Sequence, residues 1–187
     1  RVRYVSVFRN SGAAAGASIA HPHSQLVALP VVPSAVTKER GKIEEFFHLF
    51  GECPFSAIHR HEQDEGQRLL LDDRHAFALA PFASIVSGET WIVPHRHVRT
   101  LFELRDAELK AMARIIKKTM ETLMGIFPRV PYNLMVHQAP KGRDFHLYFE
   151  IQPRLGKFAG FELANEMFIN TYPPEAYANE FRRRLSQ

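Results

Sequence analysis

The sequence predicts an α+β fold in which helices flank an antiparallel sheet. Short segments that alternate apolar and polar residues recur along the chain, as in strands with one buried face. Two longer segments carry apolar residues at three- and four-residue spacing, which is typical of amphipathic helices. Strand hairpins combined with only a few helices favour an antiparallel sheet over a regular alternation of strands and helices.

The first segments predict two strands joined by a loop of small residues. Residues 1–8 already alternate as they would in the middle of a sheet, and no Met precedes them, so we expect the chain to begin inside a domain. Residues 10–18 are mostly Ala, Gly and Ser, which predicts a loop. The segment His21-Pro22-His23-Ser24-Gln25 then leads into a strand over 26–30.

The later segments predict helices and further strands. Helical spacing predicts a helix from Thr37 to Phe50 that stops at Gly51. The remaining predicted elements are a strand pair over 68–73 and 75–82, a strand over 90–94, a long helix capped at Asp106 and closed by Gly125 and Pro128, strands over 132–137 and 145–152, an extension of the sheet over 157–162, and a last helix opened by Pro173 and Pro174.

Composition narrows the class of protein. The chain has 187 residues of which 45% are hydrophobic, enough for one packed core. Its net charge of +4 is mild and no basic run dominates, so we expect no nucleic-acid partner. The single cysteine excludes an intramolecular disulfide and favours a reducing, cytoplasmic location. No signal peptide opens the chain and no apolar run approaches a membrane span, so we expect no membrane partner.

The His-Pro-His segment is the first candidate for chemistry. Residues i and i+2 of a strand face the same side, so His21, His23 and Gln25 point one way, and Pro22 restricts the backbone between the two imidazoles. A neutral imidazole is nucleophilic near pH 7 and can attack phosphorus. The Gln25 amide can donate to a phosphoryl oxygen, and Gly12 and Gly16 permit close approach of backbone N–H groups to phosphate.

Weak internal sequence similarity suggests a duplicated unit. Tyr4 to Gln25 and Tyr132 to Glu150 each contain a strand, a loop with glycine, and a strand that begins with His. We therefore expect two regions, the end of a first half over residues 1–33 and a complete second half over residues 34–187.

The segment Phe8 to Gln25 (FRNSGAAAGASIAHPHSQ) resembles the active-site segment of galactose-1-phosphate uridylyltransferases and ADP-glucose phosphorylases. These enzymes belong to the histidine-triad (HIT) superfamily, so the resemblance implies two HIT-like halves. It implies that His23 becomes nucleotidylated and that Gln25 holds the phosphate. It also implies nucleotide or phosphate contacts by Asn10, Gly16 and Ser18, with His21 as a ligand of structural zinc.

Two later segments of the chain carry the same family resemblance. The segments 146–155 (HLYFEIQPRL) and 157–162 (KFAGFE) are similar to the family's second-half strand and sugar-contacting loop. This resemblance implies sugar binding by Lys157 and Glu162. Alternatively, Glu162 is a surface carboxylate. Phe168 stands where the uridylyltransferases have a sugar-contacting glutamine, which departs from a galactose-specific pattern. In the second of the two similar segments, Tyr148 stands at the position that corresponds to His23 in the first, so we expect no second nucleophile.

Two ligand sets remain open for zinc in the second half. By resemblance, Cys53, His97 and His146 make one set, in which Ser56 replaces the second cysteine of a Cys-x-x-Cys pair. Glu39, His137 and His146 make the other, in which Tyr148 replaces the last histidine. Alternatively, Cys53 is a buried thiol and these histidines are ordinary hydrogen-bonded residues. We expect His59, His61 and His95 to be solvated rather than ligating.

The resemblance implies a homodimeric nucleotidyltransferase of galactose and carbohydrate metabolism that moves UMP or AMP between a nucleotide sugar and a sugar 1-phosphate. Three alternatives stay open. The acceptor is inorganic phosphate, as in ADP-glucose phosphorylases; the protein is a HIT-type nucleotide hydrolase, which Gln25 argues against; or it is a nucleotide-binding module without turnover.

Overall fold

The computed structural model describes residues 1–19, 21 and 23–186. One antiparallel sheet of seven strands forms its centre, with the spatial order β2-β1-β6-β7-β5-β4-β3. The strands are β1 (Tyr4–Ser11), β2 (His23–Leu29), β3 (Leu69–Asp72), β4 (Ala76–Leu79), β5 (Thr90–Pro94), β6 (Tyr132–His137) and β7 (Tyr148–Pro153).

Five α-helices flank the sheet. They are α1 (Ser34–Phe50), α2 (Pro54–Glu65), α3 (Asp106–Ile126), α4 (Gly160–Asn165) and α5 (Pro174–Leu185). The Gly residues at 51 and 66 end α1 and α2 in the left-handed conformation that glycine adopts without steric cost. The α+β class and the antiparallel sheet are therefore confirmed. Among the described residues, no helix combines the length and apolarity needed to cross a bilayer.

One face of the sheet carries the main core. Ile92 and Ile151 lie on this face and pack with Leu123 of α3 and Phe181 of α5; all four side chains are fully buried. Burial of each such side chain contributes about 2 kcal/mol to folding. This face therefore holds the sheet rigid and leaves the opposite face for the site.

The opposite face carries polar and aromatic side chains. The register places His23 opposite Asn10, Asn10 opposite Asn133, and Asn133 opposite Gln152, so these four residues share a face across four strands. Tyr148 belongs to the same face of β7 and packs against Phe55 of α2. The helices α1 and α2 thus cover the part of this face that lies away from β2.

Two predicted elements and one predicted cap differ from the structure; the cap of α3 is Arg105 instead of Asp106, which is the first residue of the helix. Helix α2 was missed because only Phe55 and Glu62 are buried in it, so the segment lacks a clear apolar stripe. The expected sheet extension over 157–162 is wrong, since the last strand ends at Pro153 and α4 begins at Gly160. The Glu162 carboxylate accepts the Ala159 N–H at 3.0 Å and so caps the start of this helix.

Candidate active site and metal centre

Strand β2 presents His23 and Gln25 on the polar face of the sheet. Both side chains are half-buried, whereas Ser24 between them is exposed. His23 lies opposite Asn10 in the β1–β2 register, and Gln25 lies opposite Phe8. The sequence correctly predicted that His23 and Gln25 share a side, because the strand alternates as expected.

A hydrogen bond to the backbone fixes the tautomer of His23. Its Nδ1–H donates to the carbonyl oxygen of His21 at 2.9 Å. A carbonyl can only accept, so the proton of the neutral ring is on Nδ1 and the lone pair is on Nε2. His23 therefore offers an oriented nucleophilic nitrogen. The predicted restraint by Pro22 lies outside the described residues.

The small-residue loop turns tightly beside this strand. Gly12 and Gly16 both have positive φ angles, at 84° and 79°, a backbone conformation that residues other than glycine rarely adopt. The amides of Ala15, Gly16 and Ala17 bond to carbonyls within the loop. These three N–H groups are therefore not free for phosphate, which narrows the predicted set of backbone donors. Gly16 and Ser18 themselves are exposed.

Asn133 of β6 fixes both the loop and Asn10. Its Nδ2 group donates to Asn10 Oδ1 at 2.7 Å and to the Ala15 carbonyl at 2.9 Å. Arg154 in turn donates from Nε to Asn133 Oδ1. Sequence reasoning did not single out Asn133 or Arg154, although Asn133 lies within the strand predicted over 132–137.

Three possible metal ligands converge at the start of α2. One ligand atom from each of Cys53, His97 and His146 lies within 4.8 Å of the others. Cys53 Sγ is 3.1 Å from His146 Nδ1, and the His146 Nε2–H donates to the Pro94 carbonyl at 2.9 Å. This second contact leaves Nδ1 as the ring nitrogen that faces the sulfur, as in histidines that bind metal.

The charges of this group favour a thiolate at Cys53 and a protonated imidazole at His97, whose proton a bound metal ion would displace. Burial raises the pKa of the Cys53 thiol, but hydrogen bonds with His146 and His97 outweigh it and bring the pKa to about 6. The hydrogen bond with Cys53 raises the pKa of His97 to about 9, with a further contribution from Asp144 at 3.0 Å. The thiolate, which is the form that binds metal, is therefore favoured at neutral pH.

The other predicted ligands are not brought into this group. His21 is exposed and belongs to neither of the two groups of three possible metal ligands found among the described residues. The set Glu39, His137 and His146 is not assembled, because His146 is held by Cys53. Glu150 and Glu39 accept from His137 instead, at 2.7 and 3.3 Å.

Tyr148 explains why that alternative set is not assembled. Its hydroxyl donates to Glu39 Oε1 at 2.7 Å, and its ring stacks on His137 at a centroid separation of 4.2 Å. The two carboxylates raise the pKa of His137 to about 9, against the lowering effect of burial. An imidazolium between two carboxylates is satisfied by hydrogen bonds and has no lone pair for a metal.

The predicted sugar-binding pair lines one cavity. Lys157 and Glu162 border a cavity of about 310 Å³ next to β7. One Glu162 oxygen is engaged in the cap of α4, so the carboxylate has a structural role whatever else it contacts. Phe168, the residue that departs from the uridylyltransferase pattern, packs on Phe158 with ring centroids 4.8 Å apart.

The expectation that His59 and His95 are simply solvated is wrong. Both are half-buried and their Nε2 atoms contact the carboxylate of Asp72 at 2.9 and 3.0 Å. Only His61 of the predicted three is exposed. Residue spacing along the chain could not reveal the group formed by His59, Asp72 and His95, since these residues come from separate elements.

Comparisons with known proteins show which proteins this chain is similar to. The family described as Domain of unknown function (DUF4921) matches residues 1–187. The chain is 31% identical to an ADP-glucose phosphorylase of Arabidopsis thaliana and 31% identical to a galactose-1-phosphate uridylyltransferase of Thermotoga maritima, over 97% of its length in both. It spans only 52% and 60% of those two relatives.

Solved structures give the same result. A uridylyltransferase mutant superposes with a TM-score of 0.92 at 33% identity, over 99% of this chain and 64% of that one. An Arabidopsis thaliana ADP-glucose phosphorylase with bound ADP-glucose gives 0.86 at 29% identity, over 97% and 59%. A zinc-bound histidine triad family protein from Mycobacterium smegmatis shares the fold alone, with a TM-score of 0.52 at 17% identity, over 73% and 94%.

The predicted HIT-like sheet and the predicted family resemblance are thus confirmed. The chain belongs to the DUF4921 family, whose fold and sequence relate it to the galactose-1-phosphate uridylyltransferases and ADP-glucose phosphorylases.

Proposed function

We propose that this chain carries the nucleotidyl-transfer site of a nucleotidyltransferase that acts on nucleotide sugars and sugar 1-phosphates. The observation that carries the proposal is the oriented imidazole of His23, whose Nδ1–H is held by the His21 carbonyl at 2.9 Å. The relatives named for this chemistry, which match along almost the whole chain, support it.

In the first step, the Nε2 lone pair of His23 attacks the α-phosphorus of a nucleotide sugar. A P–N bond forms, and the bond from that phosphorus to the bridging oxygen breaks. The electron pair departs on the sugar 1-phosphate, a leaving group of low pKa that needs little help from a general acid. The nucleotidylated ring is a cation, and its Nδ1–H then makes a charge-assisted hydrogen bond to the His21 carbonyl.

In the second step, a phosphate oxygen of the acceptor attacks the same phosphorus. The P–N bond breaks, and its electron pair returns to Nε2 of His23. The ring is neutral again, so the site is restored without a net proton change. Gln25, which shares the face of β2 with His23, donates its amide to the phosphoryl oxygens in both steps.

The nucleotide lies along β1 and the adjacent loop in this proposal. Asn10 is opposite His23 in the strand register, and Asn133 fixes the orientation of its amide oxygen. Gly16 and Ser18 are exposed in the loop that follows β1 and contact nucleotide or phosphate, Gly16 through atoms other than its N–H, which donates to the Ala13 carbonyl. Lys157 and Glu162, which border one cavity, contact the sugar.

Zinc is the structural cofactor in this proposal. Cys53, His97 and His146 fit it, because one thiolate and two imidazoles converge within bonding reach and one partner fixes His146 from behind. Bound zinc would hold the start of α2 against β7 and would take no part in the transfer. The group borders a cavity of about 350 Å³, so a fourth ligand can enter from solvent.

We further propose a homodimer and the division into residues 1–33 and 34–187, both implied by the family resemblance. Exposed apolar side chains support an additional contact surface. Phe47, Leu49 and Phe50 of α1 are 55, 70 and 64% exposed, and Leu26 of β2 is 68% exposed. The cytoplasmic location expected from the single cysteine also remains part of the proposal.

The phosphorylase reaction is the second candidate for the acceptor. The two relatives are equally identical to this chain at 31%, and one of them is an ADP-glucose phosphorylase. Phe168 in place of a sugar-contacting glutamine favours inorganic phosphate over galactose 1-phosphate. Base and acceptor are separated by offering UDP-glucose or ADP-glucose with either acceptor.

Intact-protein mass spectrometry tests the transfer. We expect a mass increase of one nucleoside monophosphate after incubation of the native protein with UDP-glucose or ADP-glucose. The increase should be absent in His23→Ala and retained in His61→Ala, which removes an exposed imidazole from α2. Addition of the matching acceptor should then discharge the adduct.

Two results would contradict the proposal. An adduct that persists in His23→Ala would place the nucleophile at another residue. Rapid release of free nucleoside monophosphate without an acceptor would instead identify a hydrolase. If this free nucleoside monophosphate accumulates steadily with time, transfer is not the main reaction.

A further inference from the structure

Two imidazoles and a carboxylate converge where β3 and β5 end. His59 Nε2 lies 2.9 Å from Asp72 Oδ2, and His95 Nε2 lies 3.0 Å from Asp72 Oδ1. One ligand atom from each residue lies within 4.8 Å of the others. We propose that His59, Asp72 and His95 form a second metal site, which binds a divalent first-row transition-metal ion such as Zn²⁺.

Three different elements fix these ligands. His59 is on α2, Asp72 is the last residue of β3, and His95 follows β5. The backbone N–H of His95 donates to the carbonyl of His75 at 2.9 Å, which continues the pairing beyond β5. The ligands are therefore placed by helix and sheet instead of by a mobile loop, which favours a preformed site.

The buried ring of Phe77 supports both imidazoles. Its centroid lies 4.4 Å from the His59 ring and 5.2 Å from the His95 ring, and the Phe77 side chain is 1% exposed. The two imidazoles lie edge to face with centroids 4.5 Å apart. Contacts with one rigid ring restrict the rotation of both, so both Nε2 atoms stay beside the Asp72 carboxylate. The His95 Nε2 atom also lies 2.9 Å from the carbonyl oxygen of Asp73, so a metal ion would replace this contact.

The distances suit one ion bound between the three groups. Zinc–nitrogen and zinc–oxygen bonds of about 2.1 Å at tetrahedral angles separate two ligand atoms by roughly 3.4 Å. The contacts of Asp72 with His59 and His95 are a few tenths of an ångström shorter than this. Small rotations of the side chains would therefore admit the ion.

The chemistry of the donors selects the class of metal. Two imidazole nitrogens with one carboxylate suit Zn²⁺ and its neighbours, whereas Mg²⁺ and Ca²⁺ prefer oxygen ligands alone. Gln63 Nε2 donates to Asp72 Oδ2 at 3.1 Å and orients the carboxylate. Asp73 is engaged separately, with Arg114 at 3.0 Å, so Asp72 is the carboxylate left for the imidazoles.

The site is accessible from solvent. The side chains of His59, Asp72 and His95 are 14, 29 and 28% exposed. Three protein ligands leave at least one coordination position for water or an external ligand. The ion would tie α2 to the strand ends, while Cys53 ties the start of the same helix to His146. Metal binding should therefore raise the thermal stability of the chain.

The test separates this site from the thiolate group by removing the sulfur. The Cys53→Ala protein is freed of metal with a chelator and dialysed against Zn²⁺, and bound zinc is measured by elemental analysis. We expect about one equivalent in Cys53→Ala, and a loss of that equivalent in Cys53→Ala combined with His59→Asn or with Asp72→Asn. Cys53→Ala combined with His61→Asn, which changes an exposed histidine of α2, should keep it.

Cobalt gives a second readout that does not depend on stoichiometry. Co²⁺ bound in Cys53→Ala should show visible ligand-field bands without a sulfur charge-transfer band, since no thiolate is present. Those bands should disappear in the two site variants, whose folding is checked by circular dichroism. Equal zinc and cobalt signals in Cys53→Ala and in both site variants would overturn the proposal, as would loss of binding in the His61→Asn control. Absence of any bound metal in Cys53→Ala would overturn it as well.

Discussion

Asn133 Nδ2 donates to Asn10 Oδ1 at 2.7 Å from the position directly opposite Asn10 in the β1–β6 register. The same amide donates to the Ala15 carbonyl at 2.9 Å. Since Asn10 is also opposite His23 on β2, this one amide links β6, the small-residue loop and the proposed nucleophile. Strand β6 thus positions the proposed site carried by β1 and β2.

Asn133→Ala should therefore weaken both stability and transfer. It leaves the Asn10 and Ala15 oxygens without their shared donor, which costs about 1–3 kcal/mol when such groups are partly buried. We expect a lower free energy of unfolding in urea and slower formation of the His23 adduct. The control is Asn165→Ala, which removes an exposed hydrogen bond from the Asn165 side chain to the Phe161 carbonyl in α4 and should change neither quantity. Unchanged adduct formation in Asn133→Ala would show that Asn10 is positioned without it.

The loop glycines offer a comparison between steric clash and backbone strain. A Cβ added at Gly12 would lie 2.8 Å from Pro131 Cβ, whereas one added at Gly16 would meet nothing within 4 Å. Both have positive φ, so both Ala variants lose about 1 kcal/mol or more to strain. Gly12→Ala should lose more, because Pro131 must also move.

Thermal unfolding of the two variants measures the difference. We expect the order of melting temperatures to be wild type, then Gly16→Ala, then Gly12→Ala. An equal loss in both variants would mean that the loop relaxes away from Pro131. A loss of adduct formation in Gly16→Ala without loss of stability would indicate that Gly16 approaches the nucleotide.

Much of this arrangement could be predicted from the sequence. Strand alternation alone placed His23 and Gln25 on one side, because a strand repeats every two residues whatever surrounds it. The long helix with Met112 and Leu123 was equally clear, since its apolar residues repeat at helical spacing and both are buried.

The parts that were missed depend on contacts between distant segments. Strand pairing brings Asn133 to Asn10, Arg154 donates to Asn133, and no local pattern distinguishes these residues from other polar ones. The Tyr148 hydroxyl donates to Glu39, and this contact between distant segments, which hydrogen-bonds one carboxylate of the alternative ligand set, could not be seen in the sequence. Helix α2 was missed because its buried face is too small to produce a periodic signal.

Acid should remove one specific contribution to stability. The hydrogen bond with Arg96 lowers the pKa of Glu108 to about 2, and the Arg105 N–H adds to this effect. A carboxyl whose pKa is lowered on folding stabilises the protein above its ordinary pKa of about 4.5, and that stabilisation is lost as the pH falls towards 2. Glu108→Gln removes the contribution at neutral pH.

Urea unfolding at several pH values tests this ion pair. We expect Glu108→Gln to cost about 1–3 kcal/mol at pH 7, and the difference from wild type should shrink between about pH 5 and pH 2. Glu121→Gln changes an exposed pair with Lys117 on the same helix and should cost less than about 0.5 kcal/mol. A difference that does not depend on pH would mean that Glu108 acts through packing.

Ser56→Cys should complete the ligand set around Cys53. Ser56 lies on the first turn of α2, and its N–H donates to the Cys53 carbonyl at 3.1 Å, so the two residues are close in space. A second thiolate would join Cys53, His97 and His146 in a four-ligand site, the arrangement that structural zinc prefers.

Competition with a zinc chelator measures the result. We expect zinc to bind Ser56→Cys at least about tenfold more tightly than wild type, because another thiolate replaces a weaker ligand. Ser56→Ala, which only removes the hydroxyl, should bind zinc as the wild type does. Because the gain requires the new sulfur to reach the same ion as Cys53, it should vanish in Ser56→Cys combined with Cys53→Ala. A gain that survives in the double variant would place the new thiolate in another site, and no gain would mean that the start of α2 does not bind metal as proposed.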